Sequence, residues 1–503
     1  MKQMLALVIA LFTLTACGSS LGVATPTALA KTAIAVRWTD TLSPTVTVSP
    51  TVRFTPQPTD TPKPTGTPAP MVLLSTVTPV SVPLSLQGPW GVIQAEDGIW
   101  AINADGTGPT RLTPEKSFAA FTAVAVSPSG GQMAYIVATS IEGPDLALRL
   151  LSLPTGTVQT ITDLQIPKDV KIPSSQGAPA DWSFAARQVA EAVSLDWSPD
   201  GQRLAFVSAH DGPWANVYTY SVATGKITRL TNRPRHAYNV KWSPDGRYLF
   251  FGEANDFGAG AGFAGGAAII RADRLESQPV WGLNASDSPA EAQSLISWIA
   301  PDMLLMESWA QSCGEMKLRT VNISTGKIQV LWPDCFSSLE RDPLSGKILL
   351  SNSNLFLISP DGSSPKTVAS GTHLYIKWAA DLKSFLFLGE GLFTASLTGE
   401  VAAVPVSLPA ATLPVVSPDG RLWAWLPWNN QASQGLWIGK EGQQPTQVFN
   451  HPIGYAGWSP DGQALIFSSE GALYVARSPG FSPEVVSTTL NPIQPLTVNW
   501  ILP

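Results

Sequence analysis

Trp197-Ser198-Pro199-Asp200-Gly201 recurs letter for letter as Trp242-Ser243-Pro244-Asp245-Gly246 and as Trp458-Ser459-Pro460-Asp461-Gly462. Val416-Ser417-Pro418-Asp419-Gly420 and Val126-Ser127-Pro128-Ser129-Gly130 are near copies. An apolar run follows each full copy: Leu204 to Val207, Tyr248 to Phe251, Leu465 to Phe467. Weaker copies occupy 298–306, 341–350 and 378–388. From Ser243 to Ser459 is 216 residues, and five intervals fit, a mean period of about 43.

Turn chemistry explains the five letters. Ser, Pro and Asp suit the first three positions of a type I turn, and Gly then takes the positive φ of a glycine bulge. Pro199, Asp200, Gly201, Pro244, Asp245, Gly246, Pro418, Asp419, Gly420, Pro460, Asp461 and Gly462 are therefore expected to be structural turn residues. Trp ends the strand that leads into the turn, and the apolar run is the strand that leaves it. A third strand, such as Val217 to Tyr220, and a fourth, such as Ile227 to Leu230, follow around Ala223-Thr224-Gly225-Lys226. Four short strands in about 43 residues is the period of a propeller blade.

These repeats resemble the WD-like Ser-Pro-Asp-Gly propeller repeats of the TolB-like family, which also occur in propellers of prolyl oligopeptidase relatives. The resemblance runs from about residue 88 to the C-terminus and implies an all-β fold, a single β-propeller. It does not imply one activity, because propellers host many. First strands are expected before residues 127, 198, 243, 300, 343, 380, 417 and 459, and again at Thr497 to Ile501, where no second strand follows. Trp90 to Ile93, Gly98 to Ile102 and Thr110 to Leu112 supply strands two to four without a first. The two ends should share one blade and hide the ring's edges. The count is eight or nine blades, depending on the degenerate middle copies.

Three segments follow. Residues 1–17 read as a lipoprotein signal peptide: Lys2, an apolar stretch from Leu5 to Leu14, then Leu14-Thr15-Ala16-Cys17. The last four letters resemble the bacterial lipobox, which implies acylation of Cys17, a membrane anchor and a place in the bacterial cell envelope facing outside the cytoplasm. Residues 18–87 read as a disordered stalk; 41–80 hold 11 Thr and 9 Pro, a composition that favours extended polyproline II over a packed core. Residues 88–503 are the propeller.

Charge and motifs narrow the function. Net charge is −6 with only 14% charged residues, which argues against a nucleic-acid partner. Gly457-Trp458-Ser459-Pro460-Asp461 is the nearest phrase to a Gly-x-Ser-x-Gly elbow; it lacks the second Gly and sits in a repeat turn. The chain has no His-Glu-x-x-His metal motif, and its Gly-rich stretch 258–266 lacks the Lys of a phosphate loop. Neither a cofactor nor a metal is therefore expected, and no catalytic residue is assigned. Long insertions at 163–190, 253–265, 283–293 and 427–434 all fall on the face opposite the tight turns, where loops on a rigid scaffold carry function. His210, His236, Phe257, Phe263, His373, Trp428 and His451 are the candidate binding-face loop residues, and Cys313 with Cys335 an expected disulfide on the same face. The reading is a monomeric, non-catalytic scaffold for a protein, peptide or glycan. The alternative is a hydrolase or carbohydrate-active propeller working at the channel mouth. Cys17→Ser should move the protein from the detergent phase to the aqueous phase on phase partitioning; a wild-type protein already in the aqueous phase would overturn the lipobox reading.

Overall fold

The computed structural model describes residues 83–502 apart from 96, 114–123, 139–145, 168, 172–193, 255–265, 276–280, 284–291, 310–316, 343, 364, 372, 380–383, 390, 405–411, 428–434, 441–442 and 491–497. Every regular element among them is a β-strand, and the strands form nine four-stranded antiparallel sheets. Eight are simple meanders. The ninth is built from both ends of the chain, in the order Thr110–Thr113, Gly98–Asn103, Trp90–Ala95, Val498–Ile501. Trp90 pairs with Ile501 and Ile93 with Val498, so the shared blade expected from the unmatched end strands is present. We number it blade one. The innermost strands of blades two to nine are Val124–Val126, Leu195–Trp197, His236–Trp242, Ala292–Ala300, Ser338–Arg341, Leu374–Ala379, Thr412–Val416 and Tyr455–Trp458. The degenerate copies are true blades, and the total is nine.

Burial follows radial position. The second strand Ala464–Ser469 is buried along its whole length, being covered on both faces, while the outermost strand Val401–Ala403 is exposed throughout. Apolar clusters sit between blades rather than within them. Met133, Tyr135 and Leu151 of blade two meet Trp90, Val92 and Ile501 of blade one. Ile93 and Val498 of blade one meet Ile466 and Val475 of blade nine. Clusters of this kind span every one of the nine junctions. A single blade has no core of its own, so the ring is the folding unit.

The repeated turn satisfies itself. Ser198, Ser243, Ser417 and Ser459 each donate a hydroxyl hydrogen bond to the Asp two residues on, at 2.6–2.7 Å. The same hydroxyl oxygens accept the backbone N–H five residues on at 2.9 Å. Each Asp also accepts a backbone N–H from the residue two further along. The Ser hydroxyl holds the carboxyls of Asp200 and Asp419 below the ordinary carboxylate range. Gly201, Gly246, Gly420 and Gly462 have φ of 66°, 69°, 70° and 68°, the left-handed conformation the turn needs. Blade six reaches a similar turn with other letters: Asp342 Oδ1 accepts from Leu344 N, and Oδ2 from Ser345 N and Oγ.

Trp has a role the sequence did not reveal. Its indole N–H crosses to the innermost strand of the preceding blade. Trp197 Nε1 donates to Ala125 O at 2.9 Å, Trp242 Nε1 to Asp196 O at 3.0 Å, and Trp458 Nε1 to Val415 O at 2.7 Å. The acceptor is each time two residues before the turn Ser of the preceding repeat. Arg203 completes one such junction, its guanidinium 4.6 Å above the Trp242 ring and bonded to Gly246 O and Ala272 O. In the degenerate blade five, Trp298 Nε1 is buried without a hydrogen-bond partner among the described residues. Trp242→Phe should therefore cost about 1–3 kcal/mol in urea unfolding, because a buried acceptor is orphaned. Trp298→Phe orphans no acceptor and loses only ring packing against the cluster between blades four and five, so it should cost less than Trp242→Phe by about 1 kcal/mol. Equal losses in the two variants would sink the latch.

Candidate functional site

First-to-second and third-to-fourth turns open on one face of the ring, and second-to-third loops and blade connectors on the other. On that second face, blades three and four bring polar side chains together. The loop 209–215 leaves the strand Arg203–Ser208, the connector 230–235 leads into His236–Trp242, and Glu253 lies near the end of Tyr248–Ala254. Backbone bonds seat these pieces: Ala237 N donates to Ala215 O at 2.8 Å, and Ala215 N to His236 Nδ1 at 3.2 Å.

Two ionic centres result. Asp211 accepts the Tyr218 hydroxyl on Oδ1 and Arg229 Nη1 on Oδ2 at 3.2 Å. Arg229 is fixed further by Asn232 Oδ1 and Thr231 O, both at 2.7 Å. Burial and the Asp211 bond push the Tyr218 hydroxyl well above its ordinary value. His210, whose Nδ1 lies 2.8 Å from Ser208 Oγ, is pushed down by burial, which favours the uncharged ring. In the second centre Glu253, only 2% exposed, meets Arg233 Nε at 2.7 Å and Arg235 Nη1 at 3.8 Å. Burial raises the Glu253 carboxyl above its ordinary value, and the two guanidiniums work against that rise. The Tyr238 ring lies so close over the Gly252 backbone that a Cβ there would meet it at 2.3 Å. Its hydroxyl is pushed up to about 12 by burial and by Glu253.

Arg233 and Arg235 share the single carboxylate of Glu253, whereas Arg229 is matched by Asp211, with Asp163 also close enough to act on His210. Arg233 Nη1 is buried and has no hydrogen-bond partner among the described residues. Trp214, half-buried, stands edge-on to His236 at 5.1 Å between ring centroids. The arrangement suits an acidic or carboxylate-bearing partner with an apolar group for Trp214.

The structure corrects several site expectations. His236 is not a loop residue: it begins an inner strand and is 4% exposed, because its ring packs on Trp214 and accepts Ala215 N. His373 is 8% exposed, held by Ser370 O and edge-on to Phe387. His210 is half-buried and His451 exposed, 3.8 Å from Glu470. His210 and His236 share the junction of blades three and four, while His373 and His451 belong to other junctions, so the four form no single cluster. Glu253 is a structural ion-pair residue within a strand and not the start of an insertion. Likewise Asp163, Leu283, Ala292 and Pro427 belong to strands, so the insertions are shorter than the sequence suggested. Cys335 is disulfide-bonded. Its expected partner Cys313 lies outside the described residues, as do Phe257, Phe263, Trp428 and the lipobox Cys17. Asp211, Trp214, Arg229, Arg233 and Arg235 were not foreseen; Arg233-Pro234-Arg235, two cations around a rigid residue in a chain with only 31 Lys and Arg, was the available signal. Three carboxyls raised by burial sit in three different blades: Asp196, bonded to Trp242 N at 2.7 Å, Glu253, and Glu307.

No protein family and no curated protein matches the chain. Among solved structures it is similar to a eukaryotic initiation factor (14% identity, TM-score 0.48, 83% of this chain and 98% of that one). It is also similar to Porphyromonas gingivalis dipeptidyl peptidase 4 (11%, 0.48, 74% and 60%) and to a TolB-like protein of Agrobacterium tumefaciens (18%, 0.30, 50% and 79%). The ring of nine sheets defines the chain as a β-propeller. Glu253→Ala should lower stability by about 3–5 kcal/mol in thermal or urea unfolding, since it leaves two arginines facing a buried position without a counter-charge. An unchanged melting temperature would mean that Glu253 is not their structural partner.

Proposed function

We propose that this chain is a membrane-tethered, extracytoplasmic β-propeller that acts as a non-catalytic scaffold and captures a protein or peptide partner on its loop face. The observation that carries this reading is the contrast between the two faces. The repeated turns spend their polar groups on one another, through Ser, Asp and backbone N–H bonds. The cluster between blades three and four sets two guanidiniums against one carboxylate beside a half-buried Trp, the residue types that anchor interfaces. An acidic segment carrying an apolar side chain is the partner that fits.

The test is capture from envelope extract with matched variants whose folding is followed by circular dichroism. Trp214→Ala and Arg235→Ala should keep a folded spectrum and lose about tenfold in capture, the effect expected of interface anchors. Asp245→Ala and Asp461→Ala should lower the melting temperature through the turn and retain capture below it. Folded turn variants that lose the partner, beside Trp214 and Arg235 variants that keep it, would put the binding surface on the other face.

A further inference from the structure

The face of tight turns holds one site that does not follow the repeat. A cavity of about 230 Å³ opens there between blades five and six, walled by Ile299, Met303, Leu305, Leu331 and Ile348, with Arg341 among its lining residues. Its origin is a substitution in the repeat. Asp342 N bonds to Lys347 O as Ser198 N bonds to Arg203 O, and Arg341 pairs with Ile348 as Trp197 pairs with Leu204. Arg341 thus stands where other blades place the latch Trp. On the neighbouring blade, Met303 pairs with Ala300 at the position from which Arg203 covers Trp242 two blades earlier in the ring. Indole and guanidinium have become guanidinium and thioether, and the space the indole would fill is left open.

Arg341 is poorly compensated in this position. Neighbouring Asp342 directs its oxygens to Leu344 N, Ser345 N and Ser345 Oγ. Arg341 forms no ion pair within 4 Å and no side-chain hydrogen bond to the described residues. Burial holds its guanidinium below the ordinary value, with Asp342 opposing. The head group lies beside two other lining residues: a Cβ on Gly346 would be 3.7 Å from Arg341 Nη2 and 3.5 Å from Pro360. Leu344, 93% exposed, adds an apolar side chain to the same lining. Gln329 Nε2, bonded to Asp361 O at 2.7 Å, ties the outer strand of blade five to blade six beside it.

We propose that this cavity is a binding site for a small monocarboxylate with a compact apolar body, the carboxylate paired with Arg341 and the body against Met303, Leu305, Leu331 and Ile348. One guanidinium matches one carboxylate in a bidentate pair and neutralises its single charge, whereas a phosphate dianion would leave one negative charge uncompensated among apolar walls. The volume lies below the roughly 300–1,000 Å³ of drug-sized ligand sites, so the occupant is small. It is either a free short-chain acid or the C-terminal residue of a peptide, which present the same chemistry here. The site is independent of the loop-face reading.

The test is saturation-transfer NMR and calorimetry on the full chain with hexanoate, N-acetyl-leucine and the neutral analogue hexanamide. Hexanoate or N-acetyl-leucine should bind, the tighter of the two naming the source, and hexanamide should bind at least about tenfold more weakly, since it lacks the charge-assisted pair. Arg341→Gln should lose about tenfold in carboxylate affinity with unchanged melting. Arg341→Trp, which installs the residue other blades use, should abolish binding and keep or raise the melting temperature. Absence of binding by both acids, hexanamide binding as well as hexanoate, or wild-type affinity in Arg341→Gln would each overturn the proposal. Should Arg341→Trp fail to fold, Arg341→Gln alone decides it.

Discussion

The indole N–H of the motif Trp, donated across a blade boundary to a carbonyl of the preceding inner strand, is the directional contact that three of the nine blade junctions share. A propeller blade is a twisted four-stranded sheet with two apolar faces and no interior, so its stability lies in the interfaces with its neighbours. Packing alone fixes such interfaces loosely, since apolar contact is not directional. A buried hydrogen bond is directional, and here it joins the same atoms at the same repeat offset in three junctions. The turn that follows each Trp is closed by its own Ser and Asp, so the latch is delivered at a fixed height.

Closure is the second constraint. The inner strand of blade one comes from the C-terminus and the remaining three from residues 90–113. Blades one and nine, and blades one and two, then pack like any other pair, and no sheet is left with an uncovered face at a seam. Further bonds cross these seams, from Arg477 Nε to Asp105 O at 2.6 Å and from Gly131 N to Leu502 O at 3.3 Å.

Departures from the repeat are where chemistry becomes available. In a well-kept junction Arg203 is neutralised by carbonyls and an aromatic face. At blade six an arginine in the Trp position has neither, and a cavity accompanies it. On the opposite face, Arg233 and Arg235 share one buried carboxylate. Both features are charge surpluses inside a chain that is acidic as a whole, and both arise from a few residues that break local regularity.

Period, turn chemistry and unmatched end strands were enough to read the propeller, its inner strands and its closing blade from the sequence. Each of those depends on contacts within about 45 residues or on a pattern repeated many times. The number nine was open in the sequence, because the copies around Trp298, Arg341 and Trp378 had lost the turn letters; hydrogen-bonded sheets kept the blades where the letters had gone. The candidate site was less legible. Histidines and long insertions drew attention by residue type and loop length, whereas the polar cluster depends on Asp211, Arg229, Arg233 and Glu253 meeting from separate strands and connectors. The Arg341 cavity depends on what an adjacent blade fails to fill. The chain's local grammar determined the ring, because repeated short-range turns and strands specify it. Only the tertiary structure decided which charges face one another, because burial and pairing are set by blades that the sequence lists apart.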